Sequence, residues 1–175
     1  MNYLAPLLIV GLLILSSCKY SDEWKTVEAV TKDKKQPFSI QFPAYMEENK
    51  KHELHENAPV QYVNYFRNVY AIVNDTAGTD IFRKIADQEL VELIAILEKP
   101  QILDTLMLTI NNMSAVMAML TGSVGVDDIV ERIYYQVTVV QGNERTYRII
   151  LWTWDKNREK YREEFQKIAQ SFKEL

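Results

Sequence analysis

The chain has 175 residues, of which 47% are hydrophobic and 25% charged, with a formal net charge of −4. That length and balance describe one globular domain with enough apolar mass for its own core. With 20 Lys and Arg against 24 Asp and Glu, no basic surface for nucleic acid is expected, and five glycines leave little for a glycine-rich phosphate loop.

The first seventeen residues carry no charged side chain, and residues 4–15 are almost wholly apolar. This run is shorter than the roughly 20 residues that span a bilayer and fits the core of a secretory signal. Leu15-Ser16-Ser17-Cys18 reads as a bacterial lipobox: small residues admit the peptidase, and the thiol accepts the lipid. Residues 1–17 are therefore expected to be a lipoprotein signal peptide, although Met1-Asn2-Tyr3 lacks the usual Lys or Arg. An ordinary cleaved signal with a coincidental cysteine is the alternative. Cys18 is the only cysteine, so no intramolecular disulfide is available and the lipid on Cys18 is the expected membrane contact. No Asp follows Cys18, which favours the outer membrane, on its periplasmic side or at the cell surface. Ser21-Asp22-Glu23 loosely resembles acidic surface-sorting tags, and a solvated tether is the plainer reading. Residues 18–36 are expected to form a flexible tether, with 26–30 a candidate edge strand, and the folded domain to occupy 37–175.

Phe38-Ser39-Ile40-Gln41-Phe42 alternates and stops at Pro43, as a strand does. Residues 47–57 form a charged loop containing both histidines. Residues 60–66 and 69–74 read as a hairpin about Arg67-Asn68, with Phe66 on a buried face. A helix over 81–98, capped by Thr79 or Asp80 and ended by Pro100, would bury Phe82, Ile85, Ala86, Leu90, Leu93, Ile94 and Leu97. Apolar runs at 106–110 and 115–121 flank the turn-like Asn111-Asn112-Met113-Ser114, and 122–128 read as a flexible link. Residues 130–140 and 145–154 form a closing hairpin about Gly142-Asn143, which would set Val139 against Thr146 and Tyr135 against Ile150. Both faces of that hairpin carry bulky apolar groups. The last helix, 157–173, presents Tyr161, Phe165, Ile168, Ala169 and Phe172 at helical spacing. The fold class expected is α+β: a mainly antiparallel sheet covered by helices on both faces, an α/β/α sandwich.

This order resembles the PsbP-like fold, shared by the extrinsic photosystem II protein and a Ran-binding yeast relative. Phe38-Ser39-Ile40-Gln41-Phe42-Pro43 is similar to the opening strand of that family, and Tyr161-x-x-x-Phe165-x-x-Ile168-x-x-Ser171-Phe172 to its closing helix. The stretch from Leu54 to Asn64, followed by Val69-Tyr70-Ala71-Ile72-Val73, resembles a bacterial envelope lipoprotein branch. The resemblance covers 37–175 and implies a non-catalytic module that docks onto larger assemblies.

Candidate chemistry is sparse. His52-Glu53-Leu54-His55-Glu56 holds both histidines of the chain beside two carboxylates, without the zincin spacing and without an evident third ligand. A solvated loop is the plain reading, and an envelope hydrolase or metal-dependent enzyme using His52 and His55 is the alternative. Asp75 to Asp80 reads as a turn and helix cap rather than a calcium loop. Asp75-Thr76-Ala77 and Asp104-Thr105-Leu106 resemble short bacterial O-glycosylation acceptors. Asp127-Asp128 reads as solvated, and Trp152, Trp154, Tyr134, Tyr135 and Tyr147 as core or helix packing rather than a ligand pocket. No cofactor and no catalytic residue is assigned. The expected function is a lipid-anchored envelope module of unknown activity, meeting an unknown envelope protein through a loop of His52, Glu53, His55 and Glu56.

Overall fold

The computed structural model describes residues 23–79, 82–126 and 129–175. It is α+β, with mostly antiparallel strands and two helices. Seven strands form the main sheet: β3 (Glu47–Glu48), β4 (Val60–Asn64), β5 (Val69–Ala77), β9 (Arg145–Trp154), β8 (Ile129–Gln141), β7 (Met113–Val126) and β6 (Glu98–Ile110), in that spatial order.

A second sheet corrects the expectation of one. The opening strand β2 (Pro37–Pro43) is not in the main sheet but stands between β1 (Trp24–Val30) and the two-residue β10 (Lys173–Glu174). β1 pairs with β2 along its whole length, from Trp24 opposite Pro43 to Val30 opposite Pro37. Paired backbone therefore begins at Trp24, inside the stretch expected to be tether. The connection between these strands is also held, since Thr31 N–H donates to Gln36 O at 2.9 Å.

The β8–β9 hairpin is wider than Gly142-Asn143 alone would make it. Its last pair is Gln141 with Thr146, and Gly142 N–H donates to Arg145 O at 2.8 Å. Glu174, in the two-residue strand after the last helix, accepts from Asn143 N–H at 2.8 Å. A Cβ on Gly142 would stand 2.7 Å from Cε2 of the buried Tyr147 ring as well as 2.6 Å from that carboxylate, and the ring cannot yield, which is why glycine stands there. Val139 accordingly faces Arg148 rather than Thr146. The displacement is by two residues, so every side chain keeps the face that its alternation predicts.

Asn111 and Asn112 form a two-residue turn between β6 and β7, both with positive φ (46° and 68°), the backbone that Asn tolerates and a tight hairpin needs. Residues 122–126, expected to be a flexible link, continue β7: Gly122 pairs with Ile133. A Cβ at Gly122 would stand 2.8 Å from the Leu97 Cβ, so the bare backbone admits the end of the first helix. Helix α1 (Phe82–Ile96) stops before Pro100, which sits instead in edge strand β6 at an irregularity between Glu98 and Gln101. A proline is tolerated on an edge because no ladder hydrogen bond is lost there. Asp80, Asp127 and Asp128 lie outside the described residues.

Two apolar clusters use alternate residues of the same strands. Tyr161, Phe165, Ile168 and Ala169 of α2 (Arg158–Gln170) gather with Phe172, with Phe38, Ile40 and Phe42 of β2, and with Tyr134, Ile149 and Leu151. Phe82, Ile85 and Leu93 of α1 and the following Leu97 gather with Leu120, Ile133, Tyr135, Val137 and Ile150. Glu89 is buried in the same helical row and forms an ion pair with Arg148 of β9. No described helix is long and apolar enough to cross a membrane.

Candidate docking site

The β4–β5 turn sets one wall of the site. Asn64 opposite Val69 is the last pair, Asn64 Oδ1 accepts from Arg67 N–H at 2.8 Å, and Asn68 takes the positive φ (54°) that closes the loop. This four-residue turn lifts Tyr65 and Phe66 off the sheet. Phe66, expected on a buried face, is 94% exposed.

Beside the turn, a groove of about 1000 Å³ runs between α2 and the start of the small sheet. Its floor is built from residues far apart in sequence. The Tyr45 hydroxyl donates to Glu164 Oε1 of α2, and the Tyr45 carbonyl accepts from Asn64 Nδ2 at 2.7 Å. The Arg67 guanidinium lies 4.0 Å above the Tyr45 ring, and Lys167 Nζ lies 5.7 Å from the Trp24 ring. Burial pushes the Tyr45 phenol well above its ordinary range, and the Glu164 carboxylate it faces adds to that. Burial also raises Glu164, against the opposing pull of the Tyr45 hydrogen bond and of Arg67, Lys160 and Lys167. The phenol stays protonated as a donor, and the groove alternates cations with carboxylates around it. Such a surface recognises polar groups; it presents no nucleophile with an adjacent base.

One pH dependence follows. The folded state holds the Glu164 proton more tightly than the unfolded chain does. Glu164 thus favours folding below its ordinary pKa of 4.5, and that contribution is lost as pH rises through its raised folded value. Glu164→Gln keeps an acceptor for Tyr45 and removes the titration. Its stability relative to the parent is expected to rise between pH 4 and neutrality, followed by urea midpoints across about that range. Parallel curves would contradict the assignment.

The histidine loop is organised by a residue that sequence reasoning passed over. Gln61, 2% exposed, accepts at Oε1 from the Leu54 and His55 N–H groups (3.1 and 3.3 Å), and its Nε2 lies 2.8 Å from His52 Nδ1 and donates to His55 O. His55 Nδ1 accepts from Asn57 N–H at 3.1 Å, and Glu56 from Asn57 Nδ2 at 3.0 Å. The loop is thus wrapped around a buried carboxamide. Among the described residues no three His, Cys, Asp or Glu side chains gather as a metal site. Glu53 accepts from the Tyr65 hydroxyl at 3.3 Å, which ties the loop to the exposed turn. A second hollow lies there, lined by β3, Lys51, Glu53, Tyr65 and Phe66, so that Phe66 borders both hollows.

Other candidates are spent elsewhere. The Asp75 carboxylate takes the Arg145 guanidinium, and Thr76 pairs with Thr146 inside the sheet. Asp104-Thr105-Leu106 lies exposed on edge strand β6. Tyr134 and Tyr147 are fully buried, while Trp152 stacks between Tyr70 and Tyr135 at 5.2 and 6.1 Å. Cys18 lies outside the described residues.

No family model matches the sequence, and no curated protein matches it. Solved structures do. The chain is similar to cyanobacterial PsbP (CyanoP) from Synechocystis sp. PCC 6803, with a TM-score of 0.62 at 14% identity over 92% of this chain and 99% of that one. LpqN of Mycobacterium tuberculosis, involved in cell envelope biogenesis, aligns with a TM-score of 0.55 at 13% identity, covering 87% and 92% of the two chains. The Saccharomyces cerevisiae Ran-binding protein Mog1p aligns at 0.53 and 11%, covering 86% and 96%. The fold is PsbP-like.

Proposed function

We propose that this protein is a lipid-anchored binding or assembly module of the cell envelope, without catalytic activity, held to the outer membrane through Cys18. The observation that carries the reading is the charged loop that Gln61 holds in shape, beside the hollow lined by β3, Lys51 and Glu53. Recognition of this kind belongs on loops set by a rigid frame. The scaffold is an α/β/α sandwich with α1 and α2 on opposite faces of the main sheet, supported by the alternation of the two clusters along β8 and β9. The fold shared with LpqN and with a Ran-binding protein is in keeping with a docking role, although fold alone assigns no partner.

Two experiments test it. Cys18→Ala is expected to leave the domain folded and to move it out of the membrane fraction, because several acyl chains anchor firmly where one binds only reversibly. A variant that stays bound after a salt wash, with its leader removed, would end the anchor assignment. The second replaces His52, Glu53, His55 and Glu56 with alanine and reads partner recovery by crosslinking from native membranes. Recovery is expected to fall, with only a small loss of thermal stability, since the Gln61 bonds to the loop backbone survive. Full recovery would remove the loop from the interface.

A further inference from the structure

We infer that the Tyr65-Phe66 turn, together with Trp24, is a second membrane contact: it enters the interfacial layer of the same bilayer that holds the lipid on Cys18. The inference rests on the anchor reading above and adds where the domain touches the membrane and which way it faces.

The first argument is reach. Paired backbone starts at Trp24, and Glu23 is already fixed, its carbonyl accepting from Ala44 N–H at 2.8 Å. From Cys18 to Glu23 the chain spans five peptide units, at most about 17 Å when fully extended. A domain of this size has a radius of gyration of about 15 Å and is roughly 40 Å across. The tether is therefore shorter than the domain, and the end carrying Trp24 must face the bilayer.

The second argument is what stands at that end. Glu23, Trp24 and Phe66 border one groove, and Tyr45, the residue after Ala44, lies under Arg67 of the turn. The turn thus shares the anchored end of the molecule. Phe66 is 94% and Tyr65 58% exposed. An exposed apolar ring next to a tyrosine, with the half-buried Trp24 on the same groove, is a side-chain set that settles at a membrane–water interface. On a free domain one such ring would bind too weakly to matter. Held by the lipid, it acts at high effective concentration and selects orientation rather than affinity. The cations around it, Arg67, Lys160 and Lys167, are matched by the carboxylates Glu23, Glu163 and Glu164. Insertion is accordingly expected on neutral phosphatidylcholine, without anionic lipid.

The test uses the full, lipidated chain in phosphatidylcholine vesicles, with Cys18 acylated and a single new thiol carrying a nitrobenzoxadiazole label. Tyr65→Cys reports on the turn, and Met107→Cys, on edge strand β6 at the opposite side of the sheet, is the control. The label at 65 is expected to emit at shorter wavelength and to be quenched severalfold more by brominated lipid than the label at 107, with iodide quenching reversed. Adding Phe66→Asp should reduce the lipid quenching at 65 to the control level while flotation with vesicles persists. Equal quenching at 65 and 107 on a chain that floats overturns the contact and leaves the anchor standing, with the turn then free for a protein partner. A chain that does not float loses the anchor and this inference with it.

Discussion

Phe165→Ala is expected to destabilise the domain by about 3–5 kcal/mol, the usual cost of emptying a buried phenylalanine site. Phe165 is fully buried at the centre of α2 and stacks on Tyr134 of β8 at 6.1 Å and on Tyr161 at 6.2 Å. The space it would leave cannot collapse readily. On one side β8 is pinned between β7 and β9, and on the other Phe38 and Phe172 are already packed against Tyr147. The same helix supplies Glu164 to the groove, so the variant should also loosen the Tyr45 contact. Urea denaturation measures the first effect. An unchanged midpoint would mean that α2 does not depend on this stripe.

The stripe was legible because helical spacing and burial are local properties. So were the faces of the closing hairpin, which depend only on alternation. Its register was not, because the widened loop is held by Glu174, which lies beyond the intervening helix and outside any short window around the hairpin. The edge strand at 26–30 was legible, but not the sheet it belongs to: β2 pairs with it and with two residues near the C-terminus, far apart in sequence. Gln61 is a lone polar residue within an apolar strand, and it is buried where the histidine loop folds over it. Glu89 did leave a signal, standing one helical turn from Ile85 and from Leu93 within the apolar row. The groove left none. Tyr45, Arg67 and Glu164 meet through three elements whose arrangement no short window contains.

Arg145→Met should cost a comparable amount, about 3–5 kcal/mol, because it strands a buried carboxylate. The Asp75 side chain is only 1% exposed, and the Arg145 guanidinium approaches its Oδ2 through both Nε (2.7 Å) and a terminal nitrogen. The other terminal nitrogen donates to Asp33 at 2.9 Å, and Asp33 is in turn held by the Thr31 hydroxyl at 2.8 Å. Lys32 N–H donates to the remaining Asp75 oxygen at 3.1 Å. One side chain of β9 thus fastens β5 and the β1–β2 connection together, and with them the two sheets. Without it Asp75 keeps a single backbone donor for a full charge. Lysine is expected to rescue poorly, since an ammonium cannot reach two acceptors in a fork. If the loss comes from the stranded charge, Arg145→Met combined with Asp75→Leu should recover a large part of it, because replacing both members of a buried pair is far cheaper than removing one. Additive losses in the double variant would instead place the cost in packing. Hydrogen exchange separates the two further: faster exchange of the Gln36 amide, which donates to Thr31 Oγ1 at 3.1 Å, is expected in Arg145→Met if the connection has come loose from the main sheet.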